Sequence, residues 1–252
     1  MRRPHTPPLL KLVPLLPAAL LAHGGGAADL KASRPPLSRA GSENSARLVP
    51  ERPLEPPRPP LNHPWDIRSR PLGTVVTVGG AVSTPPGAFK SSTEDEGFAI
   101  QNRFGEGVYV RTNFKTRLRV GSYVTVTGRL EDSNGKLVIV PARADDIKSH
   151  GVISAPLPRS FPTREIGEAT EGRLVRVEGV ITKAVQPDAP YGFRFFVDDG
   201  TGEVQIFVSA STKISSAGLR AGRRVSVTGF SGQYKDTYEI EPRFAADIDF
   251  RP

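Results

Sequence analysis

One stretch of this chain is written twice, and that repeat limits what it can fold into. GTVVTVGGAV at Gly73–Val82 returns as GRLVRVEGVI at Gly172–Ile181. GFAIQN and GEGVYV, from Gly97 and Gly105, answer to FFVDD and GEVQIFV, from Phe195 and Gly202. LRVGSYVTVTG at Leu118–Gly128 matches LRAGRRVSVTG at Leu219–Gly229, and PARADDI at Pro141–Ile147 matches PRFAADI at Pro242–Ile248. The order is kept, at a spacing of about a hundred residues. Four ordered matches do not arise by chance, so the chain carries a duplicated unit.

Each copy reads as about five strands. Val76, Val78, Gly80 and Val82 alternate with Val75, Thr77, Gly79 and Ala81, and Val175, Val177, Gly179 and Ile181 repeat the pattern. Alternation rich in β-branched residues marks strands with one buried face. Gly80 and Gly179 fall on the inward parity, where glycine marks a bulge or a bend at a barrel corner. Asn134-Gly135 and Asp199-Gly200-Thr201-Gly202 are turn sequences. Neither copy contains a long amphipathic helix, and Thr163–Thr170 allows one short helical turn.

Gly and Pro number 25 each, and most prolines fall in the first 64 residues. The early region is therefore expected to be disordered. Residues 1–28 read as a signal peptide: Arg2 and Arg3, an apolar stretch from Leu12 to Ala22, then small residues. Residues 29–66 read as a Pro-rich linker, 67–150 as the first domain and 151–252 as the second. Export to the periplasm or the extracellular space is expected. No apolar run after the N-terminus is long enough to cross a bilayer.

The strand count, the turn positions and the long, bent first strand resemble the OB-fold (oligonucleotide/oligosaccharide-binding) family. The most specific stretch, FFVDDGTGEVQIF at Phe195–Phe207, is similar to the strand 2–turn–strand 3 hairpin of nucleic-acid-binding OB domains. The resemblance covers residues 71–149 and 171–250. It implies an all-β protein of two consecutive five-stranded Greek-key barrels, like the tandem OB units of exported bacterial proteins. The first copy departs from it, with Asn102-Arg103-Phe104-Gly105 at the turn and only Asn113–Arg119 where many OB-folds place a helix.

No catalytic grouping emerges. Cysteine is absent, which excludes disulfides, zinc fingers and thiol nucleophiles. His63 and His150 both read as linker residues. Asp198–Asp199 and Asp145–Asp146 read as turn carboxylates, so no metal or cofactor is expected, and no enzyme activity.

The family binds on the outer face of strands 2 and 3. Parity turns Phe98, Ile100, Val108 and Val110 inward in copy one, leaving Gln101, Tyr109 and Arg111 outward. In copy two, Phe195, Val197, Val204, Ile206 and Val208 go in, and Arg194, Phe196, Asp198, Gln205 and Phe207 go out. The net charge of +8 is uneven: residues 67–150 hold 12 Lys+Arg against 8 Asp+Glu, and residues 151–252 hold 13 of each. Arg103, Arg111, Lys115, Arg117 and Arg119 carry the excess. With Tyr109, Arg194, Phe196 and Phe207 they form the expected nucleic-acid site, because bases stack on rings while cations follow phosphates. The expected partner is single-stranded nucleic acid, bound with little sequence preference; the alternative is an envelope protein- or glycan-interaction module.

Overall fold

The computed structural model describes residues 61–251. The expected signal peptide and all but the end of the Pro-rich linker lie outside the described residues. Both copies belong to one compact unit.

Each copy closes into a five-stranded barrel. In the first, β1 (Val75–Thr84), β2 (Phe98–Gln101), β3 (Gly107–Val110), β4 (Ser122–Ser133) and β5 (Lys136–Val140) pair in the order β1-β2-β3-β5-β4, and β4 returns to β1. The β3–β5 pair is parallel and the others are antiparallel. β6 (Ile147–Val152) adds to β4, and β7 (Arg159–Ser160) lies parallel to the next strand, β8 (Leu174–Ile181). The second barrel repeats the order with β8, β10 (Gly192–Asp198), β11 (Glu203–Ser209), β13 (Thr237–Glu241) and β12 (Arg224–Tyr234), again with a parallel β11–β13 pair. β9 (Gln186–Asp188) pairs with β10 and β14 (Ile248–Phe250) with β12. This strand order, with its parallel closing pair, is the OB arrangement in both copies.

The repeated residues have repeated tasks. Gly80 lies opposite Val124 and Gly179 opposite Val225. A Cβ on Gly179 would stand 2.5 Å from the Asp198 carbonyl oxygen, and one on Gly80 would stand 3.0 Å from that of Gln101. Only a bare α-carbon lets the first strand cross the second this closely. Asn134 (φ 55°) and Gly135 (φ 94°) form the β4–β5 turn, with both residues in the left-handed region that such hairpins need. In PARADDI and PRFAADI the last aspartate accepts backbone N–H groups: Arg143 N donates to Asp146 at 3.1 Å, and Arg243 N to Asp247 at 2.8 Å.

The inward parity is as read. Phe98, Ile100, Val108 and Val110 are buried in the first core; Phe195, Val197, Val204, Ile206 and Val208 are buried in the second. Two placements differ from the sequence reading. His150 lies on β6, not in a linker, within 2.9 Å of Thr125 Oγ1. The end of the Pro-rich segment is docked on the first barrel: Asn62 bridges Val78, and its N–H donates to Thr77 O at 2.8 Å.

A third apolar cluster, Ala88, Phe89, Ala99, Tyr109, Val138 and Phe230, joins the barrels. Around it polar groups cross between the copies. Leu174 N donates to Gln101 Oε1 at 2.7 Å and Leu137 N to Glu171 Oε1 at 3.2 Å. Arg68 pairs with Glu171 at 3.1 Å. Apolar burial, at about 25 cal/mol per Å², together with these hydrogen bonds makes this a packed junction rather than a bare linker.

Candidate nucleic-acid interface

Tyr109 leaves its own barrel on the outward side, as parity requires. It is not presented to solvent: its ring is 2% exposed and packs 5.8 Å from the Phe230 ring of the second barrel. Its hydroxyl donates to Asp95 Oδ1 at 2.8 Å. Burial and the Asp95 charge push its pKa well above the usual tyrosine value. The sister barrel thus covers the strand 2–3 face of the first barrel, and the expectation of an exposed Tyr109 is corrected.

Arg111 is half-buried, and its guanidinium meets Glu131 at 2.5 Å, so its charge is matched. Lys115, Arg117 and Arg119 are exposed. They alternate with the half-buried Phe114, Thr116, Leu118 and Val120 on the segment joining β3 to β4. A period of two throws all three cations to one side, about 6–7 Å apart if the segment is extended. Among the described residues none has a carboxylate within 4.0 Å. Arg103 is exposed on the β2–β3 turn, its guanidinium 4.7 Å from the centre of the Phe104 ring.

The expected residues of the second copy fall on another surface. Arg194 and Phe207 line a cleft of about 470 Å³, beside Tyr191 and Gln205, where the outer face of β10, β11 and β13 meets Ser92, Thr93, Glu94, Ser133, Asn134 and Lys136 of the first barrel. Phe207 is only 7% exposed, so the exposed ring expected there is also corrected. Phe196 is half-buried, with the Lys183 ammonium 4.2 Å above its ring. The cleft is acidic at its base. Among the described residues Glu239 has no cation within 4.0 Å, and it accepts from Gln205 Nε2 at 2.6 Å. Burial and the neighbouring Glu241 raise its pKa to about 7. Glu241, itself raised by burial, meets Lys136 of the first barrel at 3.5 Å. Asp188 stands 3.8 Å from Arg194.

The paired aspartates are structural. Asp199 accepts from Thr163 N at 3.1 Å, Thr163 Oγ1 at 2.7 Å and Thr201 Oγ1 at 2.6 Å, and the Thr201 hydroxyl above all holds its carboxyl far below the usual range.

The nine expected residues are therefore divided. Lys115, Arg117 and Arg119 come together on one edge; Arg103 stands at the β2–β3 turn; Arg111 is paired with Glu131; Arg194, Phe196 and Phe207 belong to the second barrel; Tyr109 is internal. A second groove, of about 760 Å³, opens beside Arg103 and Phe104, with Tyr123 and Arg159 in its walls. Sequence reasoning did not single it out, because its walls come from the docked strap, the inter-barrel segment and a turn, which only the fold assembles. The available signal was Phe104, an apolar ring set in the turn Asn102-Arg103-Phe104-Gly105.

The fold and these surfaces define a protein of two OB-type barrels with a basic edge on the first and an acidic cleft on the second. The sequence matches no protein-family model. It is 27% identical over 137 residues to Endonuclease YhcR of Bacillus subtilis (strain 168); the match takes in 52% of this chain and 11% of that protein. The chain thus spans a small fraction of this relative's length. Similar solved structures include the p204 HINb domain (14% identity, TM-score 0.33, 68% of this chain and 93% of that chain). A murine DNA-binding protein bound to double-stranded DNA is 11% identical, with TM-score 0.37, over 70% and 96% of the two chains. These superpositions are loose, and the fold above rests on the chain's own strand pairing.

Proposed function

We propose that this is an exported, non-enzymatic protein that binds single-stranded nucleic acid with little sequence preference. The row Lys115, Arg117 and Arg119 carries the reading: three exposed cations on one side of a segment, without carboxylate partners among the described residues. Each phosphate such a row neutralises releases a counterion, which gives affinity without reading sequence. The likeness to a protein named as an endonuclease supports a nucleic-acid ligand; cleavage belongs to that whole protein, of which this chain matches 11%. Export is supported by Arg2 and Arg3 ahead of the apolar stretch Leu12–Ala22. Anisotropy of a labelled single-stranded oligonucleotide, titrated with the full chain at low salt, is the test. Saturable binding is expected, and its absence overturns the reading.

One observation favours a second reading, an envelope protein- or glycan-binding module. The cleft sets Glu239 and Glu241 beside Lys136 and Arg194, so it offers a phosphate no net positive charge, together with Gln205, Tyr191 and Tyr234, which suit a neutral polar ligand such as a sugar. Binding of a neutral oligosaccharide that survives loss of the cation row would support this reading over the first.

A further inference from the structure

We propose that the bases of a bound single strand stack on Trp65 and Phe104, beside a band of arginines where the two barrels meet, and not on the strand 2–3 face. The inference rests on the nucleic-acid reading above and supplies its base contacts.

Both rings are available. Trp65 is 45% exposed and Phe104 46%. Rings of this size ordinarily bury most of their surface, so two left half in water, each beside arginines of its own, form a recognisable surface. Each carries guanidinium groups: Arg68 at 6.0 Å and Arg173 at 5.7 Å from the Trp65 ring, and Arg103 at 4.7 Å from that of Phe104. The rings expected on the strand 2–3 faces are less open, since Tyr109 and Phe207 are buried and Phe196 is half-buried.

The two rings belong to one continuous surface. His63, two residues before Trp65, stacks at 5.9 Å on Phe104. Arg159 packs over the next turn residue, its Nε 2.8 Å from where a Cβ on Gly105 would stand. Arg159 is close enough to Arg173 that, after burial, its charge lowers the Arg173 pKa. Among the described residues, Arg103, Arg159 and Arg173 have no carboxylate within 4.0 Å. Glu106 lies near enough to favour the Arg173 charge, so Arg103 and Arg159 are the charges left for an anion. The 760 Å³ groove beside Phe104 has Gly79 and Ala81 among its lining residues, and a Cβ on Gly79 would stand 3.1 Å from Tyr123 Oη. A groove of this volume has room for an unstacked base.

Trp65 is the sole tryptophan, so its emission reports on that ring alone. The full chain is titrated with an unlabelled thymidine oligonucleotide while tryptophan fluorescence is followed, and a labelled copy reports total binding by anisotropy. Quenching is expected to saturate at the anisotropy midpoint. Phe104→Ala is expected to weaken binding by about 5- to 150-fold, the equivalent of one base–ring stack, with an unchanged salt slope. Arg159→Gln should weaken binding and lower the slope by about 0.7. Binding by anisotropy with unchanged Trp65 emission and wild-type affinity in Phe104→Ala overturns the inference and leaves the nucleic-acid reading standing. No binding at low salt overturns both.

Discussion

Lys136 of the first barrel meets Glu241 of the second across their junction, Nζ 3.5 Å from Oε1, with side chains 8% and 3% exposed. The ammonium also lies 4.7 Å from the Tyr109 ring and 5.5 Å from that of Phe230. Removing one partner strands a buried charge, whereas removing both does not. Lys136→Met is therefore expected to destabilise the protein by about 3–5 kcal/mol, and Lys136→Met with Glu241→Leu to recover most of the loss. Thermal or denaturant unfolding of the two single variants and the double variant measures this. Equal losses that simply add would show that the pair is not coupled.

The same junction makes stability depend on pH. Burial and repulsion from Glu241 raise Glu239 from 4.5 to about 7. The folded state therefore holds this proton more tightly than the unfolded state. Its contribution is fully present below about pH 4.5 and is lost as pH rises through about 7; Glu241 acts in the same direction. Gln205 and Arg194 and, through Glu241, Lys136 are the groups that limit the rise. Roughly 1–3 kcal/mol should disappear between about pH 5 and pH 8. Glu239→Gln should flatten this part of the profile and exceed wild type at the alkaline end. A wild-type stability that climbs across that window would contradict the assignment.

Gly107 of β3 and Gly172, just before β8, touch backbone to backbone. A Cβ on Gly107 would stand 2.2 Å from the Gly172 carbonyl oxygen. Gly107→Ala must push the barrels apart and should cost about 2–4 kcal/mol by overpacking. Gly167→Ala, where a Cβ meets nothing within 4 Å, is the control and should shift stability by less than about 0.5 kcal/mol. Comparable unfolding midpoints for the two variants would mean that the barrels are not held in contact at Gly107.

Much of the fold was legible because it is written in local pattern. The period-two alternation through Val76, Val78 and Val82 fixed which faces are buried. Asn134-Gly135 fixed a hairpin, and Gly80 and Gly179 marked the crossings. The site was less legible because parity tells which side of a barrel a residue leaves from, and not what covers that side. Tyr109 points outward and is nonetheless buried, since Phe230 arrives from more than a hundred residues away. Arg111 looked like free charge until β4 placed Glu131 beside it. Trp65 lay in a Pro-rich stretch that composition alone marks as spacer, yet Ile67, two residues on, is fully buried and anchors it. The exposure of Lys115, Arg117 and Arg119 follows from alternation alone, since a segment with no partner strand keeps its charged side in water.

The account depends most on those three cations. The direct measurement is single-stranded oligonucleotide affinity over a range of salt concentrations, for wild type and for Lys115→Gln/Arg117→Gln/Arg119→Gln. All three side chains are exposed, so folding should be unaffected. If each contacts one phosphate, the slope of log affinity against log salt should become shallower by about 2, from roughly 0.7 per lost contact. Affinity at low salt should fall with it. Identical slopes and affinities for the two proteins would contradict the assignment of the nucleic-acid edge to the first barrel.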